Sequence, residues 1–196
     1  TAMKRISARE LAGRRGRVVA EVGQALADAG APPLEFVNGG GTGSIETTAA
    51  EPAVTEIGAG SGVIGSGLFD RYRAFRPQPA EWFVLPVVRR PAPDTVTVAG
   101  GGRIASGVPG ADRVPVVDYP AGLSFSATEG AGEVQTPLRG DAAASLRLGD
   151  HVWFRHAKAG EQAEWTDEVL VVERVGTATE ITAVWPTYRG EQQSFV

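Results

Sequence analysis

The chain has 196 residues, 42% of them hydrophobic, with a net charge of −4 and no cysteine. That is length for one sizeable domain or two small ones, with enough apolar content to bury a core, which excludes a disordered chain. The acidic balance argues against nucleic-acid and membrane-surface roles, the missing cysteines rule out disulfides and thiolate metal sites, and no apolar run is long enough to span a bilayer, so a soluble cytoplasmic protein is expected.

The first element predicted is a helix. Ser7-Ala8-Arg9-Glu10 reads as a capping box, and Leu11, Val18, Val22 and Leu26 then recur at near-helical spacing. Gly30 and the pair Pro32-Pro33 end it. Lys4, ahead of the capping box, is read as a solvated charge. Residues 34–37 read as a short buried strand, 45–50 as a brief helix, 54–57 as a second strand and 68–75 as a further helix ended by Pro77 and Pro79. This alternation is the grammar of βα units with a parallel sheet.

From residue 82 onward the pattern changes to short strand-like runs at 82–90, 95–99, 123–127, 151–155, 168–173 and 181–188, separated by Gly, Pro and Asp-rich turns. The expected core of this part draws on Trp82, Val84, Phe125, Trp153, Phe154, Val171 and Trp185. The fold expected is therefore α/β plus all-β. Residues 1–80 would be a partial (β/α) barrel, the last βα units of one, and residues 81–196 an antiparallel β-barrel or sandwich domain. Two such units are too few to close a barrel, so the chain reads as the last part of a larger one. Left uncovered, its sheet edge and helix faces would need another subunit.

Two glycine-rich turns, Gly39-Gly40-Gly41-Thr42-Gly43-Ser44 and Gly58-Ala59-Gly60-Ser61-Gly62, each follow one of the first two strands. Glycines let the backbone approach a ligand and turn its N–H groups inward, and Thr42, Ser44 and Ser61 add hydroxyls; the surface suits a phosphate or another small anion. A P-loop would need a lysine that is absent here. A dinucleotide fingerprint would need glycines where Glu46 and Val63 stand. Two tight turns without a ligand are the plainer alternative.

With these residues in view, the runs from Glu35 to Ser44 and from Thr55 to Ser61 resemble the D-threonine aldolase and D-serine dehydratase-like family. Leu148-Gly149-Asp150-His151-Val152-Trp153-Phe154-Arg155-His156 and Trp185-Pro186-Thr187-Tyr188-Arg189-Gly190 resemble that family's C-terminal β domain, most of all in the subgroup labelled amino acid deaminase/aldolase. The resemblance implies a fold-type III pyridoxal 5'-phosphate enzyme, built like alanine racemase and acting on an amino acid, as a homodimer. Gly40, Gly41, Thr42 and Gly43 would hold the cofactor phosphate from one loop, and Gly60 with Ser61 from the next.

Two departures shape the expectation. The family's Schiff-base lysine lies upstream of everything here, so this chain alone is expected to be inactive, its catalytic residues unassigned. The family's metal-binding His-x-Cys or His-x-Asp pair is matched by His156-Ala157-Lys158, and a protonated lysine has no lone pair to offer. No metal is therefore expected, with His156 and Glu161 left open as an alternative pair. His156 and Lys158 are instead the expected substrate contacts, the ammonium taking over the electrostatic duty of the ion. The function read from this is the C-terminal part of a pyridoxal phosphate-dependent D-amino-acid lyase or deaminase. An alanine racemase-type isomerase, or a non-catalytic remnant used for assembly or ligand binding, are the alternatives.

Overall fold

The computed structural model describes residues 2–175 and 177–193. The chain divides into two compact units, one of Thr1–Ile64 with Arg71–Gln78, the other of Gly65–Asp70 with Pro79–Val196.

In the first unit, helix α1 spans Ala2–Asp28. It runs straight through Ser7, so the capping box read at Ser7 to Glu10 lies inside the helix and starts nothing; the Lys4 side chain falls outside the described residues. The C-terminal end behaves as the sequence implies. Gly30 takes a φ of 64°, its N–H donates to the Ala27 carbonyl, and Ala31 N–H donates to Leu26 O at 2.9 Å. That pair of bonds is a Schellman cap, and glycine supplies the left-handed residue it requires. The apolar stripe of α1 is uncovered: Leu11 and Val18 are each 55% exposed.

Strand β1 is only Asn38–Gly39 and pairs in parallel with β2, Glu56–Ile57. Residues 34–37, read as a buried strand, are irregular, and Leu34 and Phe36 lie exposed. The strand starts where they end. Between β1 and β2 come a 3-10 turn at Thr42–Ser44 and the short helix α2, Ile45–Thr48; helix α3, Gly60–Ile64, follows β2. Two βα-like steps are present, but a parallel pair this short is not a barrel wall. The helix read over 68–75 is absent. Gly67–Phe69 makes one 3-10 turn there, and Gly67 and Leu68 spend their N–H groups on the carbonyls of His156 and Ala157.

The second unit holds a nearly closed, barrel-like antiparallel sheet of six strands. These are β3 Phe83–Ala92, β4 Thr95–Ala99, β5 Val116–Tyr119, β6 Ser124–Phe125, β7 Gln135–Arg139 and β8 His151–Arg155, ordered β5-β8-β3-β4-β7-β6. Strand β3 pairs with β8 through its first half and with β4 through its second, with register shifts beyond Val87. Irregular register and Pro86 bend the strand so that one ribbon serves both neighbours. Strands β9, Glu168–Val175, and β10, Ala178–Pro186, form a separate antiparallel hairpin, preceded by helix α4 at Gln162–Trp165.

The core is Phe83, Val87, Val96, Val98, Leu138, Val152 and Phe154, with Phe125 packed at its edge. Of the expected core, Phe154 is fully buried, whereas Val84, Trp153 and Trp185 are exposed. Trp82 and Trp153 meet edge to face on the outer surface and, with Asp118 and Tyr119, line an open groove of about 310 Å³. No helix among the described residues is long and apolar enough to cross a membrane.

Candidate functional site

Parallel pairing of β1 with β2 sets the two glycine turns side by side. Gly62 N–H donates to Thr42 Oγ1 at 2.8 Å, stitching the second turn to the first, and Thr42 is only 5% exposed. Within the first turn, Gly41 N–H donates to Ser44 Oγ at 3.1 Å and Ser44 N–H returns to Gly41 O at 3.0 Å. Gly40 has a φ of 73°, and a Cβ there would run into the Thr48 and Ser44 side chains. Glycine is needed at that position both for backbone conformation and for space.

The cup spends some donors and keeps others. The N–H groups of Gly41 and Gly62 are used to hold it together. Thr42 and Gly43 open the 3-10 turn, and Gly60 and Ser61 open α3. Leading N–H groups of a helical turn have no acceptor within it, which leaves these four without an intrahelical partner. Gly60 is exposed, with nothing within 4 Å of where its Cβ would stand. Backbone N–H donors at the start of helical turns are a donor set that suits a small anion such as a phosphate. Arg15 approaches Gly39 and is already paired with Glu51.

The other expected residues lie in the second unit. His156 is 2% exposed, its ring 4.7 Å from that of Phe83, and among the described residues its Nδ1 has no hydrogen-bond partner. Burial, helped by the Arg103 charge, pulls its pKa down to about 4, so it is neutral at physiological pH. The Lys158 ammonium donates to Ser106 O at 2.7 Å and to Ser106 Oγ at 3.1 Å, while Lys158 N–H donates to Glu161 Oε2 at 2.7 Å. Among the described residues no hydrogen bond joins His156 to Lys158, and no group of three His, Asp or Glu residues is placed to share a metal ion.

Two residues here escaped the sequence reading, Glu81 and Arg103. Glu81 Oε1 is buried without a hydrogen-bond partner among the described residues, and burial together with the nearby Glu161 carboxylate pushes the Glu81 pKa up to about 7. Burial also raises the Glu161 carboxyl and lowers the Arg103 guanidinium. The one available signal was Gly100-Gly101-Gly102-Arg103, a third glycine cluster with a cation after it.

The Glu81 carboxyl holds its proton more firmly in the folded chain than in the unfolded one. It therefore favours the fold fully below the ordinary carboxylate pKa and loses that contribution as pH rises from about 4.5 through about 7. A shift of that size corresponds to roughly 3 kcal/mol for a fully buried group, and water around this half-buried one cuts it to about 1–2 kcal/mol. Glu81→Gln should match the parent in stability at pH 4 and exceed it by about that amount at pH 8, by urea unfolding. His156 titrates the other way, contributing above pH 6.5 and losing its contribution as pH falls through about 4. Being present in both proteins, it cancels in the difference.

No protein-family model matches the chain, and no curated protein matches it in sequence. Among solved structures, it is similar to the D-threonine aldolase from Filomicrobium marinum, with a TM-score of 0.68 and 23% identity over 93% of this chain and 50% of that one. At that identity the likeness is one of fold. The chain spans half the length of that aldolase.

Proposed function

We propose that this chain supplies the cofactor-phosphate cup and the β domain of a pyridoxal phosphate-dependent, fold-type III lyase or deaminase acting on a D-amino acid. The observation that carries the reading is the pair of glycine turns stitched together by Thr42 and Gly62, with the leading N–H groups of Thr42, Gly43, Gly60 and Ser61 left over. The fold likeness to a D-threonine aldolase supports it. So does the uncovered apolar stripe of α1, which suits a chain completed by further barrel structure. The lysine that anchors the cofactor in the resembled family has no match here, so turnover belongs to the completed assembly.

In this reading Gly40 and Gly41 keep the backbone close enough for the leading N–H groups to reach the phosphate, and Thr42 and Ser61 offer their hydroxyl protons to it. When bound, pyridoxal phosphate supplies an electron sink for negative charge developing beside the amino-acid nitrogen. His156, neutral and shielded from water, and Lys158, held by Ser106, would orient the substrate from the β domain.

The test is an absorbance titration of the chain with pyridoxal phosphate, set against pyridoxal without its phosphate. Pyridoxal phosphate should bind at least about tenfold more tightly, since charge-assisted hydrogen bonds contribute roughly 1.5–3 kcal/mol. Thr42→Val, which keeps shape and removes the oxygen that Gly62 uses, should cost about 1 kcal/mol, or roughly fivefold in cofactor affinity. Equal affinities for the two vitamers would overturn the cup.

A further inference from the structure

In the second unit, the loop after β4 faces the segment from His156 to Trp165, and two contacts fix the meeting. The Lys158 ammonium bonds Ser106, and the Arg103 guanidinium stacks 4.3 Å from the centre of the Phe83 ring and 5.6 Å from that of Trp165. The loop is held rigidly at its root. Thr136 Oγ1 donates to Gly100 O at 2.6 Å and accepts Gly132 N–H at 3.0 Å, and Gly101, with a φ of 116°, leaves no room beside Thr136 for a Cβ. Arg103 is thus presented at one place.

What it meets there is incomplete. Among the described residues the guanidinium makes no hydrogen bond and no ion pair, although it is half-buried between two rings. A cation withdrawn from water without a counter-charge is costly, and an anion removes the cost. Among the described residues two buried polar atoms without partners belong to its neighbours: His156 Nδ1, whose ring packs on the same Phe83, and Gln162 Oε1, on the turn that carries Trp165. Gln162 and Trp165 stand three residues apart on α4, which puts them on one face of that turn. The vacant groups are therefore a fork of N–H donors together with a ring nitrogen and an acceptor oxygen.

We propose that Arg103, with His156 and Gln162, forms a binding site for a small monocarboxylate carrying a neighbouring amino or hydroxyl group, as an amino or hydroxy acid does. The planar guanidinium matches a carboxylate, His156 Nδ1 is within the same patch, and Gln162 Oε1 accepts from the second group. One negative charge suits the patch: Glu161 already lies against Lys158, which leaves the single charge of Arg103 for the ligand, and a doubly charged phosphate would exceed it. The site adds Arg103 to the recognition duty of Lys158, whose ammonium already bonds Ser106. It gives a location to the substrate of the proposed enzyme and to that extent rests on that function, but the binding is measured without cofactor.

The test uses the whole chain and NMR observation of arginine Nε–H and tryptophan Nε1–H resonances. D-alanine, acetate, inorganic phosphate and sodium chloride are titrated in turn at constant ionic strength. D-alanine should give saturable shifts at Arg103 and Trp165, acetate the same with weaker affinity, and chloride none. Arg103→Met, which keeps the packing, should weaken D-alanine binding at least tenfold, with Arg103→Lys between. Gln162→Leu, the safeguard should the Arg103 variants fail to fold, should weaken D-alanine severalfold and leave acetate unchanged. No saturable shift in the parent, a response shared with chloride, tighter binding of phosphate than of D-alanine, or an unchanged Arg103→Met would each overturn the site. Failure here with pyridoxal phosphate binding intact removes this site alone; the reverse pattern removes the cofactor cup alone.

Discussion

Phe154→Ala should lower the unfolding free energy of the second unit by about 3–5 kcal/mol, the usual cost of emptying a buried aromatic position. Phe154 is fully buried, stacks nearly parallel on Phe83 at 5.1 Å and lies 6.2 Å from Phe125. These rings belong to β3, β6 and β8, so no single neighbour can close the cavity by moving. A domain of this size has about 5–15 kcal/mol in all, and the change should lower the urea midpoint by roughly 2 M. Trp153→Ala is the control. It removes a larger side chain one residue away, but Trp153 is 39% exposed and points to the other face. Its cost should stay below about 2 kcal/mol. Equal effects at the two positions would mean that the inner and outer faces have been confused.

That same neighbour pair shows where sequence reading works and where it fails. Alternation marks β4 and β8 with correct bounds, Thr95–Ala99 and His151–Arg155. It does not say which phase points inward. On β3 both Val84 and Leu85 are apolar, and taking Trp82 and Val84 as anchors selects the phase that in fact faces outward; the core takes Phe83 and Val87. A shift of one residue exchanges the faces of a strand, and only the partner strands decide it. Strand β7 was hidden by Pro137, which normally demotes a run to an edge, yet Thr136 and Leu138 on either side are fully buried.

The candidate sites divide in the same way. The meeting of the two glycine turns was legible because their glycines are contiguous and each turn adjoins one of two paired strands, so the β1–β2 pairing brings them side by side. The Arg103 patch was not. It brings Phe83, Arg103, His156 and the turn of Gln162 and Trp165 together through loop docking, with no spacing rule among them. A lone arginine on a glycine loop reads as a surface charge until the rings on either side of it are known.

Arg155→Met should cost about 3 kcal/mol, the low end for breaking a buried ion network, because water still reaches part of both carboxylates. Arg155 is 7% exposed and uses its whole fork: Nη1 and Nη2 on the two Asp70 oxygens at 2.8 and 2.7 Å, and Nε on Asp118 Oδ1 at 3.0 Å. Nη1 also reaches Gly65 O at 3.2 Å, and Trp82 Nε1–H donates to the other oxygen of Asp118 at 2.7 Å. The hydrogen bonds it donates to Asp70, ahead of the charges themselves, raise the guanidinium pKa, so it stays charged at any pH the fold survives. Without it the carboxylates of Asp70, at the end of the 3-10 turn, and Asp118, on β5, would repel, and the segment Gly65–Asp70 would keep the bonds of Gly67 and Leu68 N–H to the carbonyls of His156 and Ala157. Lysine cannot bridge two carboxylates with a planar fork, so Arg155→Lys should recover less than half of the loss. The loss should also persist at high salt, where exposed ion pairs fade, since the guanidinium is shielded from solvent. Full rescue by lysine, or an effect abolished by salt, would show that the position holds charge alone and no geometry. Because His156 follows Arg155 directly and its carbonyl accepts Gly67 N–H, the loosened strand end should also weaken the D-alanine titration, while the glycine cup's affinity for pyridoxal phosphate stays unchanged.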